Sequence, residues 1–123
     1  MYFSAAGEDW KAMNSAETLK LNKDFKRLYY RGRSIATKTV VVTVGKNNLG
    51  RNRIGLTCGK IIGKAYMRNR AKRLMRESYR LLKPRVKQGF DIVLIARTQI
   101  KDKKCDAVLK DIRYALFKLD MMI

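Results

Sequence analysis

Residues 60–80 read KIIGKAYMRNRAKRLMRESYR, and the apolar side chains recur at the 3.6-residue spacing of a helix. This pattern predicts an amphipathic helix that begins after Gly63 and packs one face against a core. Pro84 predicts that the helix ends near Lys83, because proline disfavours helical backbone at the residue before it. The predicted core-facing stripe consists of Met67, Ala71, Leu74, Met75, Ser78 and Leu82.

The opposite face of this helix is basic. It carries Asn69, Lys72, Arg73, Arg76, Arg80 and Lys83, with Arg68 and Arg70 at its boundary. Exposed helix faces usually alternate in charge, but here basic neighbours lie four residues apart, and Glu77 is the only acid to offset them. The face predicts a polyphosphate partner, with a merely solvated basic surface as the alternative.

The turn before the helix has the features of a phosphate site. Gly59 and Gly63 let a ligand approach the backbone closely, and Lys60 and Lys64 add positive charge. Cations near a helix N-terminus oppose the helix dipole, so a partner must supply negative charge. Phosphates would pair there with arginine forks and with the N–H groups of the first helical turn.

Two β segments precede the helix. Residues 35–44 are almost all β-branched and predict one strand, with Val40, Val42 and Val44 on its apolar face. Residues 53–58 predict a second strand, joined to the first by the polar turn 46–52 in an antiparallel hairpin. The apolar face of the second strand holds Ile54, Leu56 and Cys58, and its other face, Gly55, Thr57 and Gly59, is expected to be low and open.

Other elements flank this central part. Residues 91–96 are apolar on both faces and predict a central strand. Residues 104–119 predict a final helix, and Asn22 is the expected N-cap of a short first helix to about residue 30, with Leu28 toward the core. Residues 1–18 predict an N-terminal extension, and residues 19–123 form one α+β domain in the order αββαβα. The core-facing side of the final helix is predicted to carry Val108, Ile112, Ala115, Leu116 and Leu119.

The charge of the chain points to a polyanion. Lys and Arg outnumber Asp and Glu by 29 to 10, a net charge of +19 in 123 residues. The sequence has no long apolar run, signal-peptide pattern or lipidation motif that would predict a membrane contact, so we expect a cytoplasmic protein. Two cysteines are too few for a disulfide framework. Because the sequence also has no histidine, we expect no zinc site.

A second surface is predicted around the first helix. Phe25 and Tyr29 are four residues apart and form one aromatic pair. If this pair lines the polar Thr and Gly face of the sheet, the resulting groove would stack unpaired bases. The alternative is that both rings belong to the core.

These motifs carry a family resemblance. Residues 68–76 read RNRAKRLMR, Lys60 precedes them at a spacing of seven intervening residues, IGL stands at 54–56 and GFDIVLIAR at 89–97. In this combination the chain resembles the bacterial ribonuclease P protein component over about residues 19–118. The resemblance implies an αβββαβα-type sandwich in which the arginine-rich helix lies in a left-handed crossover, although right-handed crossovers are the rule.

The resemblance also implies a function: the protein binds a catalytic RNA and assists removal of the 5′ leader from precursor tRNA. By that similarity the residues facing the catalytic RNA are Lys60, Arg68, Asn69, Arg70, Lys72, Arg73 and Arg76, to which the residue pattern adds Lys64 and Arg80. The residues lining the leader cleft would be Phe25, Tyr29, Val41, Thr43 and Thr57. Relatives often carry aromatic residues where this chain has Val40 and Thr43, and the extension before Leu19 is longer than the family leads us to expect.

The protein is not expected to hold a catalytic centre of its own. Phosphodiester hydrolysis ordinarily needs clustered carboxylates for metals or a histidine acid–base pair, and this sequence has scattered acids and no histidine. We therefore expect a non-catalytic subunit of a ribonucleoprotein endonuclease, with Mg²⁺ bound mainly by RNA, no metal ligands in the protein and no obligatory protein partner.

Two other functions remain open on the residues alone. A structural ribosomal protein is also small, basic and α/β, whereas a self-sufficient nuclease would cleave without RNA. Only the ribonuclease P hypothesis predicts that the protein favours leader-bearing precursor over mature tRNA.

Overall fold

The structure, a computed structural model, describes Leu28 and residues 31–123. Three short 3-10 turns, at Lys60–Ile62, Lys83–Arg85 and Thr98–Asp102, connect the main elements of this part. The main elements are the strands β1 (Arg33–Ala36), β2 (Val40–Lys46), β3 (Arg53–Thr57) and β4 (Phe90–Ala96) and the helices α1 (Ala65–Leu82) and α2 (Cys105–Lys118).

The β-branched run 35–44 is split into an antiparallel pair, so the prediction of one strand is wrong. The Thr37 hydroxyl donates to the Val40 carbonyl over 2.8 Å and accepts the Val40 N–H over 3.2 Å. Side-chain bonds of this kind stabilise a tight turn, which strand propensity does not detect. The third strand before the helix, implied by the family resemblance, is confirmed.

The sheet has the order β1-β2-β4-β3. β2 pairs with β4 antiparallel and β3 pairs with β4 parallel, so the predicted hairpin between residues 35–44 and 53–58 is wrong. β4 separates the two segments because a strand that is apolar on both faces buries most when it has neighbours on both sides. Its predicted central position is confirmed, and α1 becomes the crossover between the parallel strands. The hand of that crossover stays an expectation from the family.

One face of the sheet and both helices enclose the main core. The predicted inward faces of the strands and of the final helix are confirmed, since all of their named side chains are buried. α1 contributes the predicted Ala71, Met75, Ser78 and Leu82 and also Tyr79, while Met67 and Leu74 are only half-buried. α1 and α2 therefore lie side by side on this face.

Local signals set the ends of α1 as predicted. Gly63 has a φ of 134°, and a Cβ there would overlap the Met67 sulfur, so glycine is required where the chain turns into the helix. The helix ends at Leu82, and Pro84 lies in the 3-10 turn that follows. No helix in the described part of the chain is long and apolar enough to cross a bilayer.

Most predictions for the N-terminal region concern residues outside those that the structure describes. These are the first helix, the Phe25–Tyr29 pair and the extension 1–18, and the single domain 19–123 also stays a prediction. Leu28 is described, and its predicted burial is confirmed: it packs against Val93 of β4, with Ile95 beside them. This small cluster lies apart from the main core.

A buried ion pair joins β3 to β4. Asp91 has 0% of its surface exposed and accepts two bonds from Arg53, from Nε over 2.8 Å and from Nη2 over 2.7 Å. The Asn47 side-chain amide donates to the same carboxylate over 2.9 Å. A bidentate contact of this kind fixes geometry as well as charge, so it sets the parallel register at one end of the sheet.

We expect Asp91→Ala to lower the free energy of unfolding by about 3–5 kcal/mol, because Arg53 would keep a largely buried charge without its carboxylate. Urea unfolding measures the loss. Glu77→Ala is the control, since it removes an exposed acid paired with Arg80 and should barely move the urea midpoint. Equal shifts in the two variants would contradict a structural role for the buried pair.

Candidate nucleic-acid interface

The charge on α1 is one-sided. The helix contains six cations and a single acid, and its first turn has no acid. Lys64 occupies the N-cap position, and its side chain makes no capping bond. Positive charge therefore gathers at the helix end whose dipole already favours an anion.

Most of the predicted RNA-facing residues share one accessible surface. Lys60, Lys64, Asn69, Arg73 and Arg80 are exposed, and Arg68 and Arg76 are half-buried. These seven residues follow the 3-10 turn and the outer side of α1, and we call them the basic α1 surface. The structure thus brings together what the helical period predicted.

Arg70 also has a role inside the protein. Its guanidinium donates to the backbone carbonyl of Lys101 over 3.1 Å and to that of Lys103 over 2.7 Å. It therefore holds the segment before α2 beside the basic α1 surface. Sequence reasoning did not predict this contact, because its partners are backbone atoms about 30 residues away.

The single acid of α1 is paired at the far end of the surface. Glu77 accepts hydrogen bonds from Arg80, one of them from Nε over 3.2 Å. The Arg80 hydrogen bond and the charges of Arg80 and Arg76 lower the pKa of the Glu77 carboxyl. Glu77 therefore stays ionised near neutral pH and offsets charge only locally.

Lys72 does not lie on the solvated face, and this prediction is wrong. Only 3% of its surface is exposed. Its long apolar stem suits a position at the edge of the helix–sheet contact, where a helical wheel cannot separate inside from outside. Burial raises the pKa of the Cys58 thiol at the end of β3, and the positive charges of Lys72 and Arg68 partly oppose this shift.

The second predicted surface is assembled from three strands. Val41 of β2, Ile95 of β4 and Thr57 of β3 form one row across the sheet. Thr43, Val93 and Gly55 form the next row on the same face, opposite the main core. The three described residues of the predicted leader cleft, Val41, Thr43 and Thr57, therefore do share one face of the sheet.

This face is less open than predicted. Thr43 and Thr57 are only 1% and 2% exposed, and Gly55 is also buried, whereas Val41 is half-buried. The expectation of a low, open face on β3 is therefore wrong for Gly55 and Thr57, whereas Gly59 is exposed. Val93 and Ile95, the β4 partners of Gly55 and Thr57, pack with Leu28. The Thr43 hydroxyl is also bonded, at 2.7 Å, to that of Ser34.

An accessible cavity of about 560 Å³ lies beside Leu28, where β1 begins and β2 ends. Its lining includes Arg31, Arg33, Lys46 and Phe90. At Gly32 an added Cβ would lie 2.5 Å from the Leu28 carbonyl oxygen and 2.8 Å from that of Val44 in β2, so the close approach of the chain to β2 requires glycine there. Sequence reasoning missed Lys46 and Phe90 because only the β2–β4 register brings them together.

A family model described as Ribonuclease P matches residues 13–120. The chain belongs to the ribonuclease P protein family. Ribonuclease P protein components from Alkaliphilus metalliredigens and Natranaerobius thermophilus are 44% and 47% identical to it. The Alkaliphilus match covers 87% of this chain and 93% of the relative. The Natranaerobius match covers 69% of this chain and 74% of the relative.

Solved structures support the same membership. The ribonuclease P protein from Staphylococcus aureus superposes with a TM-score of 0.80 at 30% identity, over 89% of this chain and 100% of that one. The ribonuclease P protein from Thermotoga maritima superposes with a TM-score of 0.72 at 31% identity, over 80% of this chain and 93% of that one. Members of this family are the protein subunit of ribonuclease P. The chain is therefore part of a ribonuclease complex that contains RNA and matures tRNA 5′ ends.

Because Lys72 is buried and its neighbour Arg73 is exposed, we expect only Arg73 to contribute to binding the RNA of ribonuclease P. Arg73→Met should reduce the slope of log affinity against log salt by about one unit, because one phosphate contact is lost. Lys72→Met should leave that slope nearly unchanged. Filter binding over a salt series measures both, and equal slope changes would mean that Lys72 reaches the RNA.

Proposed function

We propose that this chain binds the catalytic RNA of ribonuclease P through the basic α1 surface and the 5′ leader of precursor tRNA through a separate surface. It thereby assists the RNA-catalysed, Mg²⁺-dependent endonucleolytic removal of the leader. The observation that carries the proposal is the composition of α1, six cations and one acid on a helix without a side-chain cap.

Phosphates complement α1 in two ways. Its arginines present planar forks whose N–H groups donate to two oxygens of one phosphate, and its first turn presents backbone N–H groups toward an anion. Bound phosphates would also relieve the repulsion between cations one helical turn apart. The preference for arginine over lysine within α1 suits contacts of defined geometry with a folded RNA.

The leader surface is proposed to combine the half-buried Val41 with the cavity beside Leu28. Three cations line this cavity, Arg31, Arg33 and Lys46, and the Phe90 ring lies among them. Proteins bind unpaired strands by pairing such cations with phosphates and such apolar surfaces with bases. Phe25 and Tyr29 remain candidates to stack bases, and the buried Thr43 and Thr57 would support the surface from within the sheet.

We propose further that no protein residue is catalytic and that Mg²⁺ is held mainly by RNA. Among the described residues no three Cys, Asp or Glu side chains gather where they could hold a metal. Four acids in this part of the chain are engaged elsewhere: Asp91 with Arg53, Glu77 with Arg80, Asp120 with Lys87 and Asp111 with Thr39. A protein-based two-metal mechanism would need converging carboxylates instead.

A cytoplasmic site of action accompanies this proposal. Cys58 and Cys105 are both free thiols, as suits a reducing compartment. No protein partner is required, because both proposed contacts are to RNA.

The central test compares leader-bearing precursor tRNA with mature tRNA, using a cognate catalytic RNA with and without the protein. We expect the protein to strengthen binding of the precursor more than that of mature tRNA and to raise the cleavage rate at limiting Mg²⁺. Equal strengthening of both would indicate a purely architectural RNA-binding role, like that of a ribosomal protein. Cleavage by the protein alone would contradict its non-catalytic role.

The leader surface has its own test in Arg31→Ala combined with Arg33→Ala. We expect weaker binding of precursor tRNA to the assembled complex and a salt slope lower by about 1.4 units, since each contact to a single strand contributes about 0.7. Mature tRNA should bind as before. Arg85→Ala is the matched control, because Arg85 is exposed and does not line this cavity; an equal effect there would contradict the assignment.

A further inference from the structure

The outer side of α2 carries two exposed aromatic rings. Tyr114 is 53% exposed and Phe117 is 68% exposed. The core-facing residues of α2, Val108, Ile112, Ala115 and Leu116, lie on the opposite side of the helix. Rings three residues apart are neighbours on a helix, so the two form one apolar patch that the fold itself does not use.

Cations surround this patch. Lys110 and Arg113 line a cavity of about 350 Å³ together with both rings. The Lys118 ammonium lies 5.7 Å from the centre of the Tyr114 ring, within range of a cation–π contact. We call Lys110, Arg113, Tyr114, Phe117 and Lys118 the α2 aromatic surface.

A second cavity, of about 370 Å³, continues this surface on the other side of Tyr114. Lys38, Lys103 and Lys110 contribute to its lining, and Asp111 is the acid there. The Asp111 carboxylate already accepts the Thr39 hydroxyl over 2.6 Å and the Thr39 N–H over 3.2 Å. Its charge is thus partly compensated within the protein, and the cavity keeps a basic character.

We propose that the α2 aromatic surface is a second RNA-binding site, which takes unpaired nucleotides. Bases stack on the Tyr114 and Phe117 rings, and the cations beside them pair with the backbone phosphates. Duplex RNA fits poorly, because stacking on a side chain needs a base that has left its own stack. The site is separate from the basic α1 surface and from the cavity beside Leu28.

Charge favours RNA over a second copy of this chain as the occupant. Self-association through this patch would set the cations of two chains against each other, and each chain carries a net charge of +19. Asp106 is the acid on the outer side of α2, and it lies at the N-terminal end, two turns before Tyr114. A polyanion with exposed bases complements both the cations and the rings.

The position of the site suggests how it is used. Arg70 of α1 holds the Lys103 carbonyl over 2.7 Å, and Lys103 lines the cavity next to Tyr114. Arg70 therefore ties the segment that lines this cavity to α1, the helix that carries the basic α1 surface. An RNA bound along α1 can continue onto α2 through an unpaired segment.

The test uses the full chain and a short single-stranded oligoribonucleotide of mixed sequence that contains 4-thiouridine. After photo-crosslinking, mass spectrometry follows the yield in the α2 peptide and in the α1 peptide as the oligonucleotide is titrated. We expect crosslinks at Tyr114 or Phe117 that saturate with concentration. Crosslinks restricted to residues outside 105–123 would overturn the proposal.

The decisive variant is Tyr114→Leu with Phe117→Leu, which keeps apolar bulk but removes both rings. We expect half-saturation in the α2 peptide to need at least about fivefold more RNA, as the loss of one stacked base implies. The yield in the α1 peptide should not change, which also reports an intact fold. Tyr114→Phe is the conservative control and should behave as the unmodified chain.

Charge and self-association give two further outcomes. Lys110→Ala with Arg113→Ala should lower the salt slope of crosslinking in the α2 peptide by about 1.4 units. If the leucine variant instead abolishes self-association in sedimentation while RNA crosslinking is unchanged, the patch joins two copies of the chain and the proposal is wrong. These measurements need neither the catalytic RNA nor tRNA, so their result is independent of the proposed function.

Discussion

The buried contact between Asp91 and Arg53 is the constraint on which the rest of the fold depends. Asp91 is the one fully buried acid among the described residues, and a charge in that position needs a partner of fixed geometry. Arg53 supplies it from β3 and so sets the register of β3, which runs parallel to β4. Parallel neighbours need a long crossover, and α1 is that crossover.

The position of α1 then determines which charges the protein presents at its surface. With Ala71 and Met75 in the core, the arginines of the helix must face outward. Their mutual repulsion is tolerated because the helix is held by its apolar face, not by its surface charges. The same packing places α2 alongside, with Tyr114 and Phe117 outward. One core thus orients two basic surfaces of different chemistry, one rich in arginine forks and one with aromatic rings.

The places where sequence reasoning was wrong share a cause. The split of residues 35–44 depends on hydroxyl–backbone bonds at Thr37, and the sheet face opposite the main core is covered at Val93 by Leu28, far away in sequence. Lys72 is buried, and its charge acts on Cys58 at the end of β3, whereas a helical wheel contains no strand. Each depends on a neighbour that only the folded chain provides.

The sequence by itself determined the amphipathic helix, the central apolar strand, the final helix and the basic surface at Lys64, Asn69 and Arg73. These follow from periodicity, composition and local turn residues, which act within a few positions of one another. Only the tertiary structure decided the strand order, the burial of Lys72, the cavity beside Leu28 and the patch at Tyr114 and Phe117. Strand pairing and surface assembly join residues distant in the chain, and periodicity carries no information about which distant residues meet.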